Sequence, residues 1–293
     1  MTRKTLTRKT MARASAAALF LLLAWAAYTQ SQPPALTLKS VAPNLYMIEG
    51  DGGNVAVYVT GDGVVLVDDK YEQDHDTIVD TVRGVTNQPI KYVINTHYHA
   101  DHSGGNKWLS TMNLQIISTA QSRLNIVKRV PGNDANPFAQ PANLVFTDQQ
   151  SVFLGGKEVR AKFFGRGHTN GDAFVYFPAV RVVHTGDDMA GANPYIDYPG
   201  GGSLLEFTDT VDKAMKEWPF ETVIPGHGPV TNRAGWQAYR DNAAKMRDQV
   251  GAMVKGGKSQ EEVAAFMEKE YGWRRPNSLQ QLWSVPGFMT EMK

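Results

Sequence analysis

Hydrophobic and polar positions along this chain divide it into short β-branched runs separated by amphipathic stretches. Residues 54–60 (NVAVYVT) and 64–68 (VVLVD) flank Gly61-Asp62-Gly63 and predict a hairpin. A helix is expected over about 74–85, then a short buried strand at Tyr92-Val93-Ile94; beyond Gly104-Gly105, NKWL opens another helix. A strand at 114–118 and a helix at 119–129 complete a βαβα half. The second half repeats the logic: a hairpin over 151–164 around Gly155-Gly156, strands at 173–177 and 181–185, a helix over 204–217, a strand at 222–224 and a long helix from about 234 to 254. Two lengthier loops, 131–144 and 189–203, are rich in Pro, Gly and aromatics, and loops of that length in a compact domain are usually functional or mobile. No linker-like stretch divides the chain, so the pattern predicts one α/β domain built from two similar halves.

Composition changes this picture mainly at the N-terminus. Arg3, Lys4, Arg8, Lys9 and Arg13 precede an apolar run from Ala16 to Ala27, and polar residues 29–32 follow. The run is shorter than the roughly 20 residues a comfortable membrane span needs, and Ala24-Trp25-Ala26 supplies a small-x-small cleavage site. Residues 1–31 therefore read as a signal peptide, with a retained N-terminal anchor as the alternative, and the expected location is periplasmic or secreted. Removing residues 1–26 takes away five positive charges and no acidic ones, which changes the net charge from +1 to −4. A mildly acidic mature chain without a basic stripe argues against nucleic acid as partner. With no cysteine in the chain, there is no disulfide, no lipid-anchor thiol and no thiolate ligand, so any metal site is limited to His, Asp and Glu.

The chemistry concentrates in residues 96–105, THYHADHSGG, which hold three of the seven histidines. In an extended segment alternate side chains share a side, so His97 and His99 can each give a nitrogen to one metal while Tyr98 points away. Asp101 and His102 follow as the chain turns into a helix, aiming a carboxylate and a third imidazole at a neighbouring point. That geometry suits two metals.

The His-x-His-x-Asp-His pattern resembles that of the metallo-β-lactamase superfamily, and the rest of the chain carries the same order of motifs. Asp68 ends VVLVD, His168 lies in GRGHTNGD, Asp187 in HTGDD and His227 in PGHGP. The resemblance covers about residues 36–250 and implies a four-layer αβ/βα sandwich with metals at one edge where the two sheets meet. It implies a metallo-β-lactamase-fold domain over 36–255, with 256–293 a C-terminal helical extension whose sequence is otherwise uninformative. His97, His99 and His168 would hold one zinc, Asp101, His102 and His227 the other, and Asp187 would bridge both. Asp101 and Asp187 are the candidate catalytic carboxylates, and water activated by the metals would be the nucleophile. Neutral imidazoles and carboxylates suit zinc, with iron or manganese as permitted alternatives. Asp68 is expected to orient the ligand loop through hydrogen bonds, and His184 either helps it or fills its strand end. Asp188 is the rival to Asp187; His75, on a polar helix face, receives no role.

Substrate is less legible, because fold and ligands do not choose among the family's hydrolases. The absence of a cysteine ligand excludes the first two β-lactamase subclasses as usually drawn and the histidine motif matches the third, whereas a bridging Asp187 is typical of glyoxalase II-like hydrolases and lactonases. A lactonase tyrosine three residues beyond the bridging aspartate is replaced here by Ala190. The 189–203 loop, with Pro194, Tyr195, Tyr198 and Pro199 and no lysine or arginine between Asp187 and Glu206, should wall the site with an apolar face. The expectation is an exported dizinc hydrolase acting on a small cyclic amide or ester, with a thioesterase or lactonase as the alternative. A non-catalytic metal-binding protein is the reading that all seven ligand candidates argue against. No stable membrane partner is expected once the signal is cleaved, and the oligomeric state is not readable. Sequencing the N-terminus of protein exported by its own host should give a start near Ala27, whereas intact Met1 on membrane-bound protein would establish an anchor.

Overall fold

The computed structural model describes residues 35–128, 140–274 and 278–293. The expected signal segment and most of the 131–144 loop lie outside these, as does Arg129 at the end of the expected 119–129 helix. The first half of the chain forms a seven-stranded sheet whose strands lie in sequence order: β1 (Thr37–Ala42), β2 (Leu45–Glu49), β3 (Val55–Val59), β4 (Val64–Val67), β5 (Ile90–Ile94), β6 (Gln115–Thr119) and β7 (Leu144–Phe146). The second half forms a six-stranded sheet, again in sequence order from β8 (Gln149–Leu154) through β9 (Lys157–Lys162), β10 (Phe174–Phe177), β11 (Val182–His184) and β12 (Thr222–Ile224) to β13 (Thr231–Asn232).

Side-chain alternation decides the layering. In β4, Val65 and Val67 face the second sheet, where they join Val175 and Phe177 of β10 in one buried cluster. Val64 and Leu66 face the other way, onto Ile78, Val79 and Val82 of helix α1 (His75–Arg83). Phe174 and Tyr176 of β10 turn outward in the same manner, toward Phe207 and Val211 of α5 (Leu204–Glu217) and Trp236 and Met246 of α6 (Arg233–Lys255). Two sheets facing each other, each covered by helices, make the αβ/βα sandwich that the sequence implied. Among the described residues, three short α-helices lie between α1 and α5: α2 (Ala100–Ser103), α3 (Asn106–Leu109) and α4 (Ala120–Val127), the last capped by Thr119, whose side chain accepts from the Ser122 N–H.

Four strands depart from the sequence reading. The β1–β2 hairpin precedes the first expected strand; β1 is largely exposed and lacks a clean alternation. β7 and β13 have three and two residues, too few to show a period. The tail forms α7 (Gln260–Tyr271), a π-helical turn (Gln280–Ser284) and α8 (Val285–Glu291). For α7 a signal was present: Ser259 and Glu262 form a capping box, each side chain engaging the other's backbone N–H.

The tail is tied to the 189–203 loop and the start of α5. Glu291 accepts hydrogen bonds from the Ser203 hydroxyl (2.5 Å), the Leu204 N–H (3.1 Å) and the Tyr198 hydroxyl. Glu291→Ala leaves these donors without their acceptor and should destabilise the fold by about 1–3 kcal/mol, read from denaturant midpoints. An unchanged midpoint would show that the tether contributes nothing.

Candidate metal centre

The ligand-bearing loops leave the same end of the sandwich. β4, β5, β6 and β7 run parallel; so do β11 and β12, and β9 shares their direction because both β9 and β11 pair antiparallel with β10. Asp68 follows β4, His97 to His102 follow β5, His168 follows β9, Asp187 follows β11 and His227 follows β12. Carboxyl ends of parallel strands are where open α/β sheets build their sites.

Residues 95–99 bend rather than extend, yet the His97 and His99 rings still meet. His97 Nε2 lies 3.0 Å from His99 Nδ1, and His168 Nε2 lies 3.1 Å from the same atom. Hydrogen bonds on the far side of each ring decide which nitrogen carries the proton. His99 Nε2 is 3.0 Å from the Asp197 carboxylate and His168 Nδ1 is 2.8 Å from the Tyr195 carbonyl, so both must be donors. His97 Nδ1 is 3.1 Å from the Thr96 hydroxyl, whose proton goes to Asp68 Oδ2 at 2.8 Å, so His97 Nδ1 donates as well. Three lone pairs therefore converge on one point with no proton between them. Bonds of 2.0–2.1 Å to a tetrahedral zinc would set such nitrogens roughly 3.3 Å apart, close to the spacing found.

A second group lies alongside. Asp101 Oδ2 is 3.1 Å from His227 Nε2, which is 3.3 Å from His102 Nε2. His102 Nδ1 donates to Asp68 Oδ2 at 2.7 Å, leaving Nε2 free to face the group. Asp187 stands between the two sets. Its Oδ2 is 3.7 Å from His168 Nε2 and 4.0 Å from His97 Nε2, while Oδ1 is 3.2 Å from His102 Nε2 and 3.5 Å from His227 Nε2. Oδ1 is buried with no hydrogen-bond partner, as expected of a carboxylate oxygen shaped to meet a cation. The residues present thus fit two divalent metals.

Burial would lower His99 and His102, yet Asp197 raises His99, and Asp101 and Asp187 raise His102 well above the usual imidazole range. Burial pushes His97 well below the usual imidazole range, toward the neutral form that binds metal, and His102 and His99 push the same way. His227 is opposed by burial but raised to about 9 by Asp187 and Asp101. Burial would favour neutral Asp187, yet the imidazoles of His227 and His102 hold it well below the carboxylate range. Carboxylates beside His227 attract a positive charge, and a metal would displace the proton.

Asp68 sits just beyond β4 at φ 65, accepts from the Thr96 N–H (2.7 Å) as well as from Thr96 Oγ1 and His102, and so orients the loop. His184 accepts from the Gly186 N–H at 3.1 Å and donates to the Asn54 carbonyl at 3.0 Å, bracing the turn that presents Asp187. Gly186 at φ +52 has Thr96 against it, with a Cβ there only 2.7 Å from Thr96 Cβ, and Gly53 passes so close to His102 that a Cβ would fall 2.3 Å from Cε1. Asp188 turns away from both groups; its Oδ1 accepts from the His168 N–H at 3.2 Å. His75 packs on Trp108, outside both groups.

Several residues near the site escaped the sequence reading. Tyr98 does point away from the lone pairs, but its hydroxyl reaches Asp197 at 2.5 Å, so both act on His99. Lys70 is fully buried and donates to the carbonyls of Asp51 (2.7 Å) and Gly53 (2.6 Å), fixing the loop over His102, while burial lowers it to about 8. A cavity of about 440 Å³ opens over Asp101, Asp187 and His227. The 189–203 loop lines it with Tyr195, but Tyr198 turns onto Phe288 and Glu291 instead, and neither Pro194 nor Pro199 is among its lining residues. Leu279, Gln280 and Trp283 of the tail also line it.

Known proteins share this scaffold. Metallo-beta-lactamase IND-1 of Chryseobacterium indologenes is 26% identical over 178 residues, 59% of this chain and 71% of its own. A metallo-beta-lactamase type 2 of Elizabethkingia meningoseptica is 24% identical over 207 residues, 67% of this chain and 80% of its own. Among solved structures, a metallo-beta-lactamase from Pontibacter korlensis superposes with a TM-score of 0.64 at 16% identity, covering 72% of this chain and 99% of that one. Residues 48–248 match the metallo-beta-lactamase superfamily as a whole, and with these motifs in order on this fold the chain belongs to that superfamily.

Proposed function

We propose that this chain is an exported dinuclear zinc hydrolase that opens the carbonyl of a small cyclic amide or ester, in the manner of a β-lactamase. The observation that carries the reading is Asp187, whose two oxygens face two separate donor sets. His97, His99 and His168 would hold one ion, Asp101, His102 and His227 the other, with Asp187 shared. Imidazole and carboxylate donors without thiolate favour zinc among the divalent metals of such sites. Zinc bound there supplies a Lewis acid and brings the pKa of coordinated water toward about 7.

The protein's own groups do the rest. Asp68, Asp197 and the Tyr195 carbonyl hold the imidazoles in the tautomer that faces inward. Asp101 and Asp187 are the carboxylates at the cavity floor, within reach of a proton passing to or from a bound substrate. The lining among the described residues includes no lysine or arginine, which disfavours a polyphosphate. The names of the relatives support a β-lactam ring. The lining, without lysine or arginine among the described residues, is what gives a lactone or thioester standing as the second reading.

Elemental analysis of zinc-supplemented protein should return close to two ions per chain; a reproducible value below one would remove the dinuclear reading. Nitrocefin, imipenem, a homoserine lactone, S-lactoylglutathione and bis-p-nitrophenyl phosphate form the matching panel. Ring opening of at least one lactam or lactone is expected, and phosphodiester cleavage exceeding every amide and ester would overturn the assignment.

Asp187→Ala should empty one or both sites and abolish most turnover. Asp68→Ala keeps every ligand and should weaken metal affinity by roughly 10–100-fold. Equal effects of the two substitutions on metal content would contradict the distinct roles given to them.

A further inference from the structure

The tail wall lies beyond the residues that match the superfamily. The superfamily match ends at residue 248, yet Leu279, Gln280 and Trp283 line the cavity. Trp283 stacks on Tyr195 at 6.2 Å and 22°, and its ring lies 5.9 Å from that of His99. A flat group laid on this pair would sit one ring's width from the donor set. Asn193, also in the lining, has its amide occupied by the Tyr271 carbonyl (3.0 Å) and the Asn242 amide (2.9 Å). The Tyr195 hydroxyl is a buried polar atom without a hydrogen-bond partner.

The placement of Trp283 is built rather than incidental. The π-helical turn sets it between two anchors. Ser284 Oγ donates to the Ile196 carbonyl at 2.6 Å and accepts from the Ile196 N–H at 3.3 Å, while Gln281 Nε2 donates to the carbonyls of Trp273 (2.8 Å) and Ala264 (3.0 Å). Single π turns inside helical segments are frequent at functional sites. Ile196 adjoins Tyr195, whose carbonyl holds His168, so one short stretch supports both the donor set and the aromatic wall.

We infer that Trp283 and Tyr195, with Leu279 beside them, form a subsite for a flat aryl group carried by an uncharged ester or amide, and that this subsite selects the substrate. The inference rests on the hydrolase reading and names the substrate class of that same cavity. Stacking on the indole supplies affinity. An anionic substituent would find no lysine or arginine along the described lining.

Two measurements on the full zinc-loaded chain test it separately from the hydrolase reading. In the first, calorimetry with the inert probe N-benzylacetamide should show saturable binding, weakened about tenfold in Trp283→Ala and largely retained in Trp283→Phe; unchanged binding in the alanine variant, or none in the parent, overturns the subsite. In the second, the parent should prefer N-phenylacetyl- over N-acetyl-homoserine lactone, and benzylpenicillin methyl ester over benzylpenicillin, by about tenfold in kcat/KM. Trp283→Ala should lose the first preference through KM. Turnover without either preference overturns the subsite and leaves the hydrolase standing. Trp283-dependent binding of the probe with no turnover of any of the four removes the hydrolase reading and leaves an aryl-binding cavity.

Discussion

Asp68 is the constraint on which the site depends. One buried carboxylate takes the Thr96 N–H, the Thr96 hydroxyl and the His102 imidazole, and the same hydroxyl then receives the proton of His97. Tautomers on both sides of the site are thus set from a single point behind it. Burying a carboxylate is costly unless its oxygens are hydrogen-bonded, and the left-handed backbone at Asp68 is tolerated because the surroundings over-determine it. The ligands hold their orientation through a hydrogen-bonding lattice that would exist whether or not an ion is present.

Sequence reading worked where information is local. Strands β3 and β4 are visible because β-branched residues flank a glycine turn, and the His97 to His102 run because four donors occupy six positions. The other candidate ligands, His168, Asp187 and His227, stand alone in glycine-rich loops, and only the order of motifs singled them out. The structure gathers all seven. What could not be read was long-range. Asp197 looks like any loop aspartate until it is seen against His99, and Trp283 lies more than 180 residues from the ring it faces. No period links such pairs. Tyr198 was misplaced for the same reason: nothing local tells a wall residue from one that turns back onto Phe288.

Loop 189–203 carries unequal duties within a few residues. Tyr195 faces the cavity, Ile196 is clamped by Ser284, Asp197 fixes His99, and Tyr198 reaches Glu291. Such alternation lets a long loop be ordered without belonging to a sheet, since its backbone polar groups find partners in the tail and in the residues around His168. The price of that order is dependence on α8, which lies outside the residues that match the superfamily.

The distribution of donors between the two sheets has a mechanical consequence. His97 and His99 issue from the first sheet, and the His168 and Asp187 that complete their set issue from the second; Asp101 and His102 face His227 across the same divide. An ion in either position is therefore a rivet through the seam of the sandwich, joining residues from 69 positions apart (His99 and His168) to 126 (Asp101 and His227) in the chain. Sliding one sheet over the other by even an ångström would strain both coordination spheres at once, so the seam cannot creep while the rivets hold. Rigidity at the reacting edge would then come from the cations themselves, and the hydrophobic layer between the sheets could stay an ordinary packed core.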